Sequence, residues 1–162
     1  MTAFGQNKKP VKPEAALIRL EDLCARSEQC EAEVRRKLYM WQISAADADA
    51  IVRSLVQRRF VDDARYASAF VRDKYRFARW GRRKIEMALR QKQIDDNIIA
   101  DALGSIDEEE YREVLKHLLV VKAKSIEEPE TYENRLRLMR FAMARGFEAS
   151  LVSAAINEIN NK

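Results

Sequence analysis

The sequence predicts an all-α protein made of tandem three-helix, helix-turn-helix-like repeats stacked in an elongated array. Three observations carry this. Only 4 Gly and 3 Pro occur among 162 residues, so backbone breakers are scarce. The stretches between them are rich in Ala, Leu, Arg, Lys, Glu and Met, which lose little side-chain freedom in a helix. One apolar pattern then recurs three times at a spacing of about fifty residues, a period typical of stacked helical units.

The elements follow in order. Residues 1–13, MTAFGQNKKPVKP, read as a disordered basic tail. Repeat 1 occupies 14–56, repeat 2 occupies 57–105 and repeat 3 occupies 106–160. Each opens with a helix, expected at 14–25, 64–78 and 108–124. Apolar residues three and four apart mark one face of each: Leu17, Leu20 and Cys24; Ala67, Phe70, Val71 and Tyr75; Val114, Leu115, Leu118 and Leu119. A helix pair follows. In repeat 2 it carries Ile85, Leu89, Ile94, Ile99, Ala102 and Leu103. Val34, Leu38 and Ile43 match the first three of these at an offset of 51, and Leu138, Ala142 and Phe147 match them at 53. Repeat 1 then holds three extra residues, nearly one helical turn, so Ile51 and Leu55 keep the same face. Repeat 3 continues with Leu151, Val152, Ala155 and Ile156.

The turns support these helices. Ser44, Asp95 and either Asp62 or Asp63 suit N-cap positions, where a side-chain oxygen accepts from an otherwise unpartnered helical N–H. Gly146 suits a left-handed helix end. Residues 125–130, SIEEPE, read as a loop whose Pro129 is placed to start the next helix.

Charge is unevenly distributed around a net of +4. From Arg53 to Lys92 there are 13 Lys/Arg against 4 Asp/Glu; from Ile94 to Asn134 there are 4 against 12. A basic block beside an acidic block suggests a partner of patterned charge. Within the basic block, Arg65, Arg72, Arg76 and Arg79 are spaced by 7, 4 and 3. On one helix they form a single stripe opposite Ala67, Phe70 and Val71. The run Trp80-Gly81-Arg82-Arg83-Lys84 follows at the start of the next helix. Guanidinium forks suit phosphate or carboxylate, and an indole offers a flat face. Arg65, Arg72, Arg76, Arg79, Trp80, Arg82, Arg83 and Lys84 are therefore the candidate partner- or DNA-binding residues.

Other chemistry is not indicated. No phosphate loop, nucleophile elbow or metal-ligand spacing is present, so neither catalysis nor a cofactor or metal is expected. The run Asp107 to Glu110 reads as the first turn of a helix, where carboxylates meet the positive end of the dipole. Cys24 and Cys30 read as reduced thiols in a cytoplasmic protein with no membrane segment, Cys24 half-buried. The helix pairs invite a DNA-reader hypothesis, but Asp47, Asp49, Asp95, Asp96 and Asp101 lie on the would-be recognition helices and would meet phosphates. Backbone contact through the arginine stripe, with little sequence preference, remains open.

At this point the residues resemble a known family. The stretch Arg59-Phe60-Val61-Asp62-Asp63-Ala64-Arg65-Tyr66-Ala67 is similar to the motif leading into the second repeat of RecX proteins. Gly81 through Ile85, followed by Leu89 and Ile94, is similar to that family's second motif, and Ala25 through Glu28 to its opening one. The resemblance covers about residues 14–157. Phe60, Asp62, Asp63, Tyr66, Gly81, Ile85, Leu89 and Ile94 are then structural motif positions, with Phe60 in the core. The resemblance implies a non-enzymatic regulator of the RecA recombinase, and a monomer is expected. It would lie along the groove of the RecA–DNA filament and suppress ATP hydrolysis, strand exchange and coprotease activity, acting in DNA repair, recombination and the SOS response. Two other readings stay open: a non-specific DNA-binding protein, and a helical interaction scaffold unrelated to recombination. The family often has Gly where this chain has Gln42 and Gln93. A non-Gly residue in a left-handed cap costs about 1 kcal/mol, so these turns either take that strain or are built differently.

Overall fold

The scarcity of breakers is realised as helix throughout. The computed structural model describes residues 9–161. These form nine α-helices and no strand: α1 Pro13–Arg26, α2 Glu31–Met40, α3 Ala45–Gln57, α4 Asp63–Arg76, α5 Arg82–Gln91, α6 Asp96–Gly104, α7 Glu108–Ala123, α8 Tyr132–Ala144 and α9 Ala149–Asn160. The fold is thus an all-α tandem helical repeat. Two compact units divide the chain, one ending at Tyr66 and one beginning at Ala67.

In the first unit, Ala16 and Leu20 of α1, Val34 and Leu38 of α2, Ile51, Val52 and Leu55 of α3, and the loop residues Ile43 and Val61 form one buried cluster. In the second unit the equivalent positions are also removed from water. Ile85, Leu89, Ile94 and Ile99 are buried, as are Leu138, Ala142, Phe147, Val152 and Ile156. The apolar offsets read from the sequence therefore mark core positions. Burying such side chains contributes roughly 1.5–3 kcal/mol each.

The same turn closes the second helix of every triplet. The Gln42 N–H donates to the Tyr39 carbonyl and the Ile43 N–H to the Leu38 carbonyl. Gln93 and Ile94 repeat this on Arg90 and Leu89, and Gly146 and Phe147 on Met143 and Ala142. This paired bonding satisfies carbonyls that the helix itself leaves open. It requires a left-handed residue, and φ is 60° at Gln42, 58° at Gln93 and 96° at Gly146. The two glutamines take the strain; the turn is not rebuilt. Arg59 adopts the same conformation after α3, with φ 59°.

N-caps fall where short polar side chains permit. Ser44 accepts from the Asp47 N–H, Asp95 from Asn97 and Asp107 from Glu110. The choice between Asp62 and Asp63 is resolved by giving each a helix. Asp62 accepts from the Arg65 N–H at 3.0 Å and caps α4. Asp63 accepts from the Glu31 N–H at 2.9 Å and caps α2, where Cys30 supplies no side-chain cap. The run Asp107 to Glu110 is indeed cap and first turn of a helix.

Three expectations need correction. The basic tail was placed at 1–13; residues 1–8 lie outside the described residues, but Pro13 begins α1 and Val11 packs on the first core, its N–H on the Trp41 carbonyl. Pro129 does not start a helix. It sits in a turn closed by the Thr131 N–H on the Glu128 carbonyl, and Thr131 caps α8. Phe60 is only half-buried against the core, with the Arg58 guanidinium 4.9 Å from its ring centroid; Val61 is the buried residue of that motif.

Candidate partner interface on the basic segment

The predicted arginine stripe is not one surface. α4 stops at Arg76, so Arg79 lies beyond the helix, with φ 57°. Arg65 is used locally. Its Nε bonds Glu28 at 2.7 Å, and its guanidinium donates to the carbonyls of Arg59 and Phe60. It thereby clasps the α3–α4 turn. Arg76 turns to α7. Its Nε bonds Glu110 at 2.6 Å and the Tyr75 hydroxyl at 3.1 Å. The hydrogen bond from Arg76 holds the Glu110 carboxyl below its ordinary value.

Arg82 is the most enclosed of the predicted cations. Its guanidinium bonds Glu108 and Glu148, the latter at 2.9 Å, and lies 3.9 Å from the Tyr111 ring centroid. Tyr111 is fully buried and receives the Arg82 backbone N–H on its hydroxyl at 3.0 Å. That hydroxyl donates in turn to Glu148 at 2.6 Å. Burial, reinforced by Glu148, pushes the Tyr111 hydroxyl well above the usual phenol range, so it remains a donor. The basic block and the acidic block thus answer each other inside the second unit. Part of the charge in each block is therefore used within the fold, through Arg76 with Glu110 and Arg82 with Glu108.

Gly81 has a packing role. Its N–H donates to the Arg145 carbonyl at 2.7 Å, and the Arg83 N–H donates to the Gly146 carbonyl at 3.1 Å. A Cβ on Gly81 would overlap the backbone of Gly146 and Phe147, inside the 3.0 Å that real Cβ atoms keep. The start of α5 therefore lies directly on the α8–α9 turn. Tyr66, Ile85, Leu89 and Ile94 are buried.

What remains available is a smaller set. Arg72 and Arg83 are exposed and Arg79 half-buried, and none has a carboxylate within ion-pair reach among the described residues. Trp80, in the same segment, is half-buried and edge-on to Phe70 at 6.4 Å. Lys74 and Lys84 place their ammonium groups 4.6 and 4.4 Å from the Trp80 ring centroid. This cluster presents cations in a form suited to phosphate or carboxylate. Lys74 was missed because its role depends on the turn after α4, which folds Trp80 back. Tyr111 was missed too, although a signal existed. Asp107 and Tyr111 stand 45 residues after Asp62 and Tyr66, so the repeat junction itself recurs.

Comparison with known proteins now decides the family. Residues 62–103 match the model of the second three-helix domain of RecX, and residues 108–156 match that of the third. The chain belongs to the RecX family. The regulatory protein RecX of a Clostridium botulinum strain is 31% identical over 153 residues, covering 91% of this chain and 68% of that protein. The regulatory protein RecX of Neisseria meningitidis is 26% identical over 147 residues, covering 90% of this chain and 92% of that protein. The crystal structure of RecX from Lactobacillus salivarius superimposes with a TM-score of 0.82 at 22% identity, covering 93% of this chain and 97% of that one. This RecX-family chain therefore shares the helical-repeat fold of a solved relative. Among the described residues no helix is long and apolar enough to cross a membrane.

Proposed function

We propose that this chain regulates the RecA recombinase by binding the RecA–DNA filament, lowering its ATP hydrolysis, strand exchange and coprotease activity. Membership of a family of regulatory proteins supports this reading, and the observation that carries it to residues is that Arg72, Arg79 and Arg83, in the segment that also holds Lys74 and Lys84 against Trp80, have no carboxylate partner among the described residues. These cations are not consumed by internal ion pairs, so their charge is free for phosphate or acidic protein surface. The chain acts on its partner's turnover and performs no hydrolysis of its own.

The test is RecA-dependent ATP hydrolysis on single-stranded DNA, with and without the purified chain. Hydrolysis should fall as the chain is added, and the chain alone should show none. Unchanged turnover at a large excess over RecA would refute the proposal. A second reading, non-specific DNA binding through the same cations, predicts steeply salt-dependent binding to free DNA with no effect on RecA beyond competition for DNA.

A further inference from the structure

The chain leaving α4 borders, with α7 and α8, an open groove of about 460 Å3. Phe77, Leu118, Val121 and Phe141 supply its apolar surface; Arg79, Lys122 and Arg145 supply its charge, and no carboxylate lines it. Phe77 is 81% exposed and Val121 49% exposed. Lys122 and Arg145 hold their charges 5.0 and 4.9 Å from the Phe141 ring centroid. None of the three cations has a carboxylate partner among the described residues. This differs from Arg65, Arg76 and Arg82, each of which is neutralised within the fold.

We infer that this groove docks an acidic peptide segment of a partner protein, one with apolar side chains between its carboxylates. Charge complementarity selects that occupant. The apolar side chains cover Phe77 and Val121, and the carboxylates reach cations that have no counter-charge of their own. A purely apolar partner surface would desolvate three charges without compensation. A nucleic-acid strand suits the cations but not the floor. Phe77 is the one open stacking face, since Lys122 and Arg145 already lie against Phe141 and Leu118 and Val121 are aliphatic, whereas a strand stacks successive bases on aromatic faces. The groove shares only Arg79 with the cations of the regulatory proposal, and its test contains no RecA, so it stands or falls separately.

The probe is a fluorescein-labelled peptide of alternating Asp and Leu ending in Phe, titrated with the full chain and followed by anisotropy. Three variants address the groove: Phe77→Ser, Val121→Asp and Lys122→Gln. Arg112→Ala, on an exposed residue outside the groove, is the control. Circular dichroism first checks that each variant is as helical as the wild type. The peptide should bind the wild type and the control equally. Each groove variant should weaken it about tenfold or more, the size expected when one central contact of an interface is removed. No binding by the wild type would overturn the inference. So would equal binding of a peptide with Leu and Phe replaced by Ser, which would reduce the effect to bulk charge. Unchanged affinity in folded groove variants would place the peptide elsewhere. Displacement of the peptide by oligothymidylate that loses affinity in the same variants would assign the groove to nucleic acid instead.

Discussion

Replacing Gly81 by Ala isolates a contact that the repeat pattern alone does not reveal. Gly81 has φ −80° and ψ 167°, a conformation open to any residue, so the substitution carries no local backbone penalty. Its whole cost comes from the added Cβ meeting the backbone of Gly146 and Phe147. Backbone cannot rotate away as a flexible side chain can, so α5 and the α8–α9 turn must separate. Two hydrogen bonds then weaken, Gly81 N–H to Arg145 and Arg83 N–H to Gly146, each contributing about 1 kcal/mol net. Overpacking adds about 1–3 kcal/mol. The expected loss is about 3–5 kcal/mol, or a melting temperature lower by roughly 10 °C for a chain of this size. Gly104→Ala is the matched control. Gly104 ends α6, is exposed, and a Cβ there meets nothing within 4 Å, so Ala should be neutral or stabilising by up to about 1 kcal/mol. Thermal melts followed by circular dichroism compare the two. Melting of Gly81→Ala at the wild-type temperature would refute the close approach of these two segments.

Three further outcomes follow from the geometry. Arg82→Ala should destabilise by about 2 kcal/mol rather than act as a silent surface change, because it leaves the half-buried Glu148 with only the Tyr111 hydroxyl and uncovers the Tyr111 ring; urea denaturation measures this, and a wild-type midpoint would contradict it. The alanine double variant of the exposed Arg72 and Arg83 should melt within about 1 kcal/mol of wild type, at up to about 0.5 kcal/mol per site, yet inhibit RecA less and with a shallower salt dependence; full inhibition by that folded variant would move the binding surface elsewhere. For Asp63, burial raises the carboxyl above its ordinary value, outweighing the Glu31 N–H that lowers it. A raised folded-state value means the folded chain holds its proton longer than the unfolded one, so stability from this group falls as pH rises above about 4. Asp63→Asn keeps the acceptor for Glu31 and cannot ionise. It should gain stability relative to wild type between about pH 4 and pH 7, and a pH-independent difference in denaturation midpoint would contradict this.

The sequence by itself determined the helical class, the three recurring apolar sets and the family. These depend on local propensity and on a face repeated every three to four residues, both of which are written along the chain. Ser44, Asp95 and Gly146 were legible for the same reason, since capping joins residues two to four positions apart. Even Gln42 and Gln93 could be located, though only the structure showed that they accept the left-handed strain. The tertiary structure decided the fate of the charges. Arg65 and Glu28 are 37 residues apart, Arg76 and Glu110 34, and Arg82 and Glu148 66. No periodicity within a helix brings such pairs together; packing of one helix on another does. A block of positive charge therefore looked like a single binding stripe in one dimension. In three dimensions Arg65, Arg76 and Arg82 proved to be internal clasps, leaving Arg72, Arg79 and Arg83 without a carboxylate partner among the described residues. The same reason hid the groove beside Phe77, whose walls come from α7, α8 and the chain leaving α4 and whose character depends on which cations the fold has left without a carboxylate.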